Sequence, residues 1–334
     1  MTAQARTVYV HFQNAPSSEE LELFINKVGF PVYITTGDSA PADPEYDILI
    51  AGRASVELLS ASPKLTTLII PWAGLPPVTR DRLKSFPHLA VHNIHHNAPA
   101  AAELALALLL SAFKRIIPAD QALRNHDWSP RFIPLEPPLL AGQTALIMGM
   151  GAIGKRLSRA LHALDMEICC VRRQPGRTAI PEYVKAEYGP ADLPDILPQA
   201  QVLMLCLPLT VETEKIIGTR ELGFLPPAAV LVNVGRAQLV EEAALYRALE
   251  TGQLGAAGLD VWYRYPTSES DRTHLPVSDF PFHTLTNVVL SPHRGGAFGT
   301  RVIEEARMSE LARSVRALAE GDEVPHKVDL AAGY

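Results

Sequence analysis

Short apolar runs alternate with helix-like segments along the whole chain. In the first part, strands are predicted at residues 8–12, 32–35, 46–51, 67–71 and 89–92. These runs are continuously apolar, which is typical of parallel strands covered on both faces. Ser17 and Glu20 form a capping box, which predicts the start of an amphipathic helix.

A second series of strands follows a long, mostly apolar helix predicted at residues 98–113. Its strands are predicted at residues 144–148, 167–171, 202–207, 229–234, 256–262 and 288–290. The last helix, at residues 300–320, has no packing partner in this series, so we expect it to return to the first. Loops are predicted at residues 134–138 and 276–281, where prolines cluster. The pattern predicts an α/β fold of two domains with doubly wound parallel sheets.

A glycine-rich turn joins the first strand of the second series to its helix. Gly149, Gly151 and Gly154 form G-x-G-x-x-G with Ala152 and Ile153 before the last glycine. We expect Gly149 to make the tight turn, Gly151 to let a pyrophosphate approach the backbone, and Gly154 to let helix and strand pack closely. The helix N-terminus would then bind phosphate, which predicts a dinucleotide site.

The next strand ends in Arg172 and Arg173, where an NAD-binding protein normally carries a carboxylate for the ribose hydroxyls. With no carboxylate expected there and two guanidinium groups to bind a 2′-phosphate, we expect NADP(H) to be preferred and NAD(H) to be possible. The alternative is a pair of solvated surface arginines.

The amino-acid composition limits the kinds of binding partner that the protein is expected to have. Of 334 residues, 47% are hydrophobic and 20% charged, which is typical of a globular protein. The net charge of −6, without long runs of one sign, argues against nucleic acid or a membrane surface as partner. The cysteines at positions 169, 170 and 206 are too few and badly spaced for a zinc site, so no metal is expected. The segment Met1–Arg6 lacks a signal-peptide core, and a cytoplasmic protein is expected.

Three further motifs follow strands of the second series: residues 232–236, 258–261 and 291–296. These motifs, the glycine-rich turn and the sequence segments at 207–213 and 254–260 together resemble the D-isomer-specific 2-hydroxyacid dehydrogenases. The resemblance implies a flavodoxin-like substrate domain of residues 1–97 and 298–334. A Rossmann cofactor domain of residues 98–297 is inserted in it, with substrate held in the cleft. The resemblance also implies a homodimer, with the apolar helix at 98–113 in the interface.

The resemblance assigns roles to individual residues. Arg236 would bind the substrate carboxylate, His293 would act as general acid or base, and Asp260 would lie near the nicotinamide. Trp72, Ala73 and Gly74 would form a substrate-binding loop, although Trp72 fits the core equally well. The cofactor-binding set would comprise Gly149, Gly151, Ala152, Ile153, Gly154, Arg172, Arg173, Leu207, Pro208, Thr213, Val234, Gly235, Asp260 and Gly295.

One position departs from the family pattern. The family usually places a glutamate five residues after the aspartate, where it pairs with the catalytic histidine, but this chain has Tyr265 there. Glu269 or Asp271 are the nearby carboxylates that could replace it.

These features predict an NADPH-preferring reductase of small 2-oxo acids, of the glyoxylate or hydroxypyruvate kind. Two alternatives stay open: an enzyme resembling formate dehydrogenase, which has glutamine at the glutamate position, and a dinucleotide-sensing corepressor scaffold with little turnover.

Overall fold

The computed structural model describes residues 7–134 and 139–334. The segment Met1–Arg6, and all of the predicted loop 134–138 except Pro134, therefore lie outside the described residues. The chain divides into two compact units. The first comprises residues 7–97 and 297–334, and the second comprises residues 98–296.

The first unit contains a five-stranded parallel sheet of order β2-β1-β3-β4-β5. The N-terminal capping box is confirmed, because Glu20 N–H donates to Ser17 Oγ at 3.3 Å and Ser17 N–H donates to Glu20 Oε2 at 2.7 Å. The elements are β1 (Val8–Phe12), α1 (Ser18–Val28), β2 (Val32–Thr36), β3 (Ile48–Ile50), α2 (Val56–Ala61), β4 (Thr67–Ile70), α3 (Pro77–Leu83) and β5 (Ala90–Asn93).

The second unit contains a seven-stranded sheet of order β12-β11-β10-β9-β6-β7-β8, parallel throughout. α-Helices lie between β6 and β7, β8 and β9, β9 and β10, and β10 and β11, as the predicted Rossmann architecture requires. The elements are α4 (Ala98–Phe113), α5 (Ile116–Arg124), β6 (Thr144–Met148), α6 (Ala152–His162), β7 (Glu167–Val171), β8 (Val184–Tyr188), α7 (Leu193–Ile196), β9 (Val202–Leu205), α8 (Thr219–Phe224), β10 (Val230–Asn233), α9 (Glu242–Glu250), β11 (Ala256–Leu259) and β12 (Val288–Leu290).

Strand β8 is absent from the sequence prediction. It lies at the edge of the sheet, and only Val184 of its five residues is fully buried. An edge strand needs no continuous apolar run, so the pattern used to find the other strands does not detect it.

Two other strands end at least two residues earlier than predicted. Strand β9 ends at Leu205 and β11 at Leu259, whereas the apolar runs continue for several residues. Beyond β11, Val261 and Trp262 are buried without being part of the strand. Their apolar character therefore reflects the packing of a loop that leaves the sheet at the candidate site.

The C-terminal helix α10 (Arg301–Glu320) packs on α1, as predicted, in the first unit. Its residues Met308, Leu311, Ala312 and Val315 share a core with residues from β1, α1, β3 and β4. At the surface, Arg307 donates to Glu20 at 3.2 Å.

No helix in residues 7–134 and 139–334 is long and apolar enough to cross a membrane. Those same residues contain no cluster of histidine, cysteine or carboxylate side chains arranged to hold a metal ion.

Gly151 and Gly154 differ in the space around them, which predicts different costs of substitution. A Cβ at Gly154 would overlap the carbonyl oxygen of Gly149, whereas a Cβ at Gly151 would meet nothing within 4 Å. Alanine gains up to about 1 kcal/mol over glycine inside a helix. We expect the overlap to outweigh that gain at Gly154, because the obstructing atom belongs to the backbone.

Gly154→Ala should therefore lower the free energy of unfolding by about 1–3 kcal/mol. Gly151→Ala, the matched control at the N-cap of α6, should lower it by less, about 0.5–1 kcal/mol, because alanine is less favourable than glycine at an N-cap. Urea denaturation of both variants measures the difference. Equal stability of the two would contradict the close packing of α6 on the turn.

Candidate active site

The candidate active site lies where three neighbouring strands of the second unit end. Strands β10, β11 and β12 are adjacent and in register, with Asn233 opposite Leu259 and Leu259 opposite Leu290. Parallel strands end at the same edge of a sheet, and open α/β sheets bind their ligands there. Arg236, Asp260 and His293 each follow one of these strands, so the structure brings the three predicted residues to one edge.

Asp260 holds the loop after β12 through its carboxylate. Its Oδ1 accepts hydrogen bonds from Ser291 Oγ at 2.5 Å and from the Arg294 N–H at 2.8 Å, and its Oδ2 accepts the Gly295 N–H at 2.8 Å. The residue is 2% exposed. Hydrogen bonds to an ionised acceptor are stronger than neutral ones. The carboxylate therefore joins the end of β11 to the loop that carries His293.

The close approach of this loop explains the glycine at position 295. A Cβ there would lie 2.8 Å from Asp260 Oδ2. Gly295 is thus required for the anchor in this structure, and its predicted contact with a cofactor stays a prediction.

His293 lies inside the anchored loop with a backbone φ of 57°. This left-handed conformation is uncommon for residues other than glycine and persists only where the surroundings impose it. The hydrogen bonds from Ser291 and Arg294 to Asp260 flank His293 on both sides and impose it here. The side chain remains accessible to solvent.

Three causes act on the imidazole of His293. Desolvation by the surrounding protein, the largest, lowers its pKa below the ordinary histidine value; the charge of Asp260 raises it, and the charge of Arg236 lowers it. The net pKa is lowered. The neutral form is therefore favoured more than in an isolated histidine.

Tyr265 lies beside His293, with 5.5 Å between the ring centroids and 55° between the ring planes. Its hydroxyl oxygen accepts the backbone N–H of Trp262 at 3.1 Å. The phenol thus contacts the imidazole through ring packing, where the family pattern would supply a carboxylate.

The two predicted replacement carboxylates bind elsewhere. Glu269 pairs with Arg272 at 2.9 Å, and Asp271 Oδ2 accepts three hydrogen bonds from Thr267 and Ser268. Within the described residues, neither contacts His293.

Arg236 is exposed and lies in extended backbone after β10. Asn233 shapes this turn: its side-chain amide donates to the Arg236 carbonyl at 2.8 Å, and its Oδ1 accepts the Gly235 N–H at 3.0 Å. The guanidinium donates to the Gly235 carbonyl at 2.7 Å and has no carboxylate partner in the described parts of the chain. It is therefore available to a carboxylate from solution.

Asn233 was not among the predicted site residues. A buried polar side chain at the end of an otherwise apolar strand is the sequence feature that would have identified it.

The glycine-rich turn has the geometry that a dinucleotide requires. Gly149 has φ 98°, and a Cβ there would lie 2.9 Å from the Cys206 carbonyl oxygen. A Cβ at Gly151 would meet nothing within 4 Å, and the N-terminus of α6, with Ala152 and Ile153, follows directly. Backbone N–H groups at a helix start, with nothing bulky in front of them, suit a pyrophosphate. The glycine-rich turn and the start of α6 therefore fit the pyrophosphate of a dinucleotide.

The other predicted cofactor residues follow neighbouring strands. Thr213 donates to the Pro208 carbonyl at 2.7 Å and fixes the loop that begins at Leu207. Val234 is buried, and a Cβ at Gly235 would lie 2.7 Å from the Leu207 carbonyl oxygen. The loops after β9 and β10 therefore pack tightly next to the glycine-rich turn after β6.

The prediction of two available guanidinium groups after β7 is wrong for Arg172. Its guanidinium lies 2.6 Å from Glu187 Oε1 on the undetected strand β8, and it also donates to the Thr178 hydroxyl and carbonyl. Glu187 also accepts the Gly176 N–H at 2.9 Å. A carboxylate is thus present at this edge, neutralised by Arg172, while Arg173 is exposed.

In the first unit, the loop after β4 contains the predicted substrate residues. The indole of Trp72 lies directly against Gly52, where any Cβ would overlap it, and it packs on the core. Asn93 donates to the Ala73 carbonyl at 2.7 Å. Trp72 therefore has a packing role. The substrate-binding role of Trp72, Ala73 and Gly74 stays a prediction.

We expect Asp260→Asn to disrupt the anchor. The amide would retain one oxygen, but its NH₂ group would face a donor at either Gly295 or the Ser291–Arg294 pair. The free energy of unfolding should fall by about 1–3 kcal/mol, the cost of leaving buried donors unsatisfied. Asp195→Asn, at an exposed position, is the matched control in urea denaturation. Equal stability of the two variants would show that the anchor contributes little.

Comparisons with known proteins agree with this geometry. Residues 106–295 match the family model described as "D-isomer specific 2-hydroxyacid dehydrogenase, NAD binding domain". The chain is 31% identical to a glyoxylate reductase from Aeropyrum pernix over 307 residues, covering 90% of this chain and 87% of the relative.

A D-3-phosphoglycerate dehydrogenase from Mycobacterium tuberculosis is 32% identical over 298 residues, covering 87% of this chain. The chain spans about half, 53%, of that relative's length. Among solved structures, an NADPH-dependent glyoxylate/hydroxypyruvate reductase from Sinorhizobium meliloti, in complex with NADP and malonate, superimposes with a TM-score of 0.70 at 25% identity, covering 98% of each chain. The chain belongs to the D-isomer-specific 2-hydroxyacid dehydrogenase family.

Proposed function

We propose that the protein reduces small 2-oxo acids of the glyoxylate or hydroxypyruvate kind to 2-hydroxy acids, with NADPH as the preferred reductant. The observation that carries the proposal is Arg236: an exposed guanidinium without a carboxylate partner among the described residues, at the same sheet edge as the loop of His293. The names of the glyoxylate reductases among the relatives support the substrate class.

In this proposal, Arg236 and His293 have separate roles in binding the substrate and transferring the proton. Arg236 binds the substrate carboxylate through its planar fork of donors. His293, in its protonated form, gives a proton to the 2-oxo oxygen, and in the reverse direction the neutral ring accepts that proton. When bound, a reduced nicotinamide would supply a hydride to the carbonyl carbon. Because His293 is accessible to solvent, it can be reprotonated after each turnover.

Asp260 acts in this scheme as the positioning residue of His293. Its oxygens are used by Ser291, Arg294 and Gly295, so its direct effect on a nicotinamide would be through charge. Its negative charge also favours the imidazolium form, against desolvation and Arg236.

The turn at Gly149–Gly151 and the N-terminus of α6 would hold the pyrophosphate of the cofactor. Arg173 would bind the 2′-phosphate of NADPH, while Arg172 neutralises Glu187 and thereby reduces its repulsion of that phosphate. The preference for NADPH thus depends on two residues with different tasks.

A homodimer is part of the proposal. The second unit exposes large apolar side chains on and after α5, and such surface is typical of a protein interface. They are Ile116, Ile117, Leu123, Trp128, Phe132, Ile133 and Leu139.

The direct experiment is turnover of NADPH and NADH with a panel of 2-oxo acids including glyoxylate and hydroxypyruvate. We expect reduction of both, with kcat/KM higher for NADPH. Arg236→Lys is the informative companion, because it keeps the charge but loses the fork, and should mainly raise KM. Absence of turnover with every 2-oxo acid would favour the scaffold alternative, and activity on formate would favour the other enzyme alternative.

For cofactor choice, we expect Arg173→Ala to lower NADPH affinity about tenfold or more and to leave NADH affinity nearly unchanged, since a charge-assisted contact contributes about 1.5–3 kcal/mol. Dissociation constants for both dinucleotides measure the ratio. Arg172→Ala, the companion variant, should also weaken NADPH binding, because Glu187 is left without its cation and would repel the 2′-phosphate that NADH lacks. If Arg173→Ala leaves the ratio of the NADPH and NADH dissociation constants unchanged, Arg173 does not bind the 2′-phosphate.

The pH dependence follows from the lowered pKa of His293. Reduction needs the protonated ring, so kcat/KM for reduction should fall as pH rises through a midpoint below the ordinary histidine value. Tyr265→Glu would place a carboxylate beside the imidazole, favour the imidazolium, and move this midpoint upward by about one to two pH units. The measurement is the pH profile of kcat/KM.

Tyr265→Gln is the control, because it has the size of glutamate without its charge and should leave the midpoint in place. His293→Ala should reduce kcat/KM by about 10²–10⁴-fold. Full activity of His293→Ala would show that another group is the acid.

A further inference from the structure

The hydroxyl of Tyr265 is a polar group that the mechanism above leaves unused. Its oxygen accepts the Trp262 N–H at 3.1 Å. A phenol that accepts one hydrogen bond still has its own proton to donate. In the described parts of the chain, that proton has no protein acceptor.

The hydroxyl is held in place by the same framework that holds His293. The Trp262 indole N–H donates to the Ser291 carbonyl at 2.7 Å, and Trp262 is 3% exposed. Ser291 in turn donates to Asp260. The backbone N–H that fixes the Tyr265 oxygen therefore belongs to a rigid part of the site.

The surroundings of Tyr265 are those of a ligand site. Its ring packs on His293, and the charges of Arg236 and Asp260 both act on its phenol. The residue is 44% exposed, so a small molecule can reach it. Burial, the largest cause, raises the pKa of the phenol, and the group therefore stays protonated at neutral pH.

Tyr263, two residues earlier, shows the contrast within the same loop. Its hydroxyl donates to the Val240 carbonyl at 2.9 Å, so its proton is used by the fold. One tyrosine of this pair is satisfied by the protein, and the other is not.

We propose that the Tyr265 hydroxyl donates a hydrogen bond to the carboxylate of the 2-oxo acid, as a second anchor beside Arg236. This inference rests on the proposed function. A carboxylate has lone pairs for more than one donor, and Arg236 and Tyr265 can therefore bind it together. Tyr265 is then a substrate-binding residue, in addition to packing on His293.

The role predicts a particular kinetic signature. The carboxylate carries its charge in both the ground state and the transition state, so a contact with it contributes to binding and little to the chemical step. Tyr265→Phe removes only the hydroxyl and keeps the ring against His293. We expect KM for glyoxylate to rise about tenfold to a hundredfold, the range for a hydrogen bond to a charged group, with kcat changed less than about threefold.

Three further measurements separate this role from an indirect one. The dissociation constant of oxamate, a non-reducible analogue with a carboxylate beside a carbonyl, should rise by a similar factor in calorimetry on the NADPH complex. The dissociation constant of NADPH itself should stay within about twofold. The midpoint of the kcat/KM pH profile should not move, whereas a role through His293 alone would move it.

Tyr263→Phe is the matched control and should leave KM for glyoxylate and the affinity for oxamate unchanged. An unchanged KM in Tyr265→Phe overturns the inference, and so does a fall in kcat with KM and oxamate affinity intact. These results leave the proposed function standing. A wild-type protein that reduces no 2-oxo acid overturns the proposed function and this inference together.

Discussion

The carboxylate of Asp260 is the interaction on which the geometry of the candidate site depends. It lies at the end of β11, and its oxygens hold Ser291, Arg294 and Gly295 in the loop after β12. This anchor holds the loop on both sides of His293, whose backbone is left-handed. The same bonds exclude any side chain at position 295. One buried charge thereby fixes both the histidine and the loop around it.

The fold could be predicted from the sequence to the extent that its strands form apolar runs. Continuous apolar runs predicted the parallel strands of both sheets other than β8. The last helix, at residues 300–320, had no packing partner in the second series, which predicted the return of α10 to the first unit. Strand β8 could not be predicted in this way, since its sequence VKAEY alternates apolar and charged residues and forms no apolar run. That omission had a consequence for the site: Glu187 lies on β8, and its pairing with Arg172 was therefore missed.

The site could be predicted in its residue types but not in its hydrogen bonds. Motifs at strand ends identified Arg236, Asp260 and His293, because parallel strands end together. Sequence spacing does not show which donors a carboxylate accepts. For this reason the anchoring role of Asp260, the turn formed by Asn233 and the local pairing of Glu269 and Asp271 became visible only in the structure. Each depends on side-chain geometry across a loop.

The replacement of a carboxylate by Tyr265 changes the charge balance around the imidazole. Asp260 is the anionic neighbour that acts on His293, and desolvation together with Arg236 outweighs it. If the proposed substrate binds at Arg236, its carboxylate brings a negative charge into this balance and neutralises the guanidinium that disfavours the imidazolium. The pKa of His293 then rises when substrate is present. A carboxylate beside the histidine would favour the acid form before substrate binds, whereas in this chain the substrate itself would favour it. The phenol at position 265 fits such an arrangement, because it donates to an anion without adding a fixed charge.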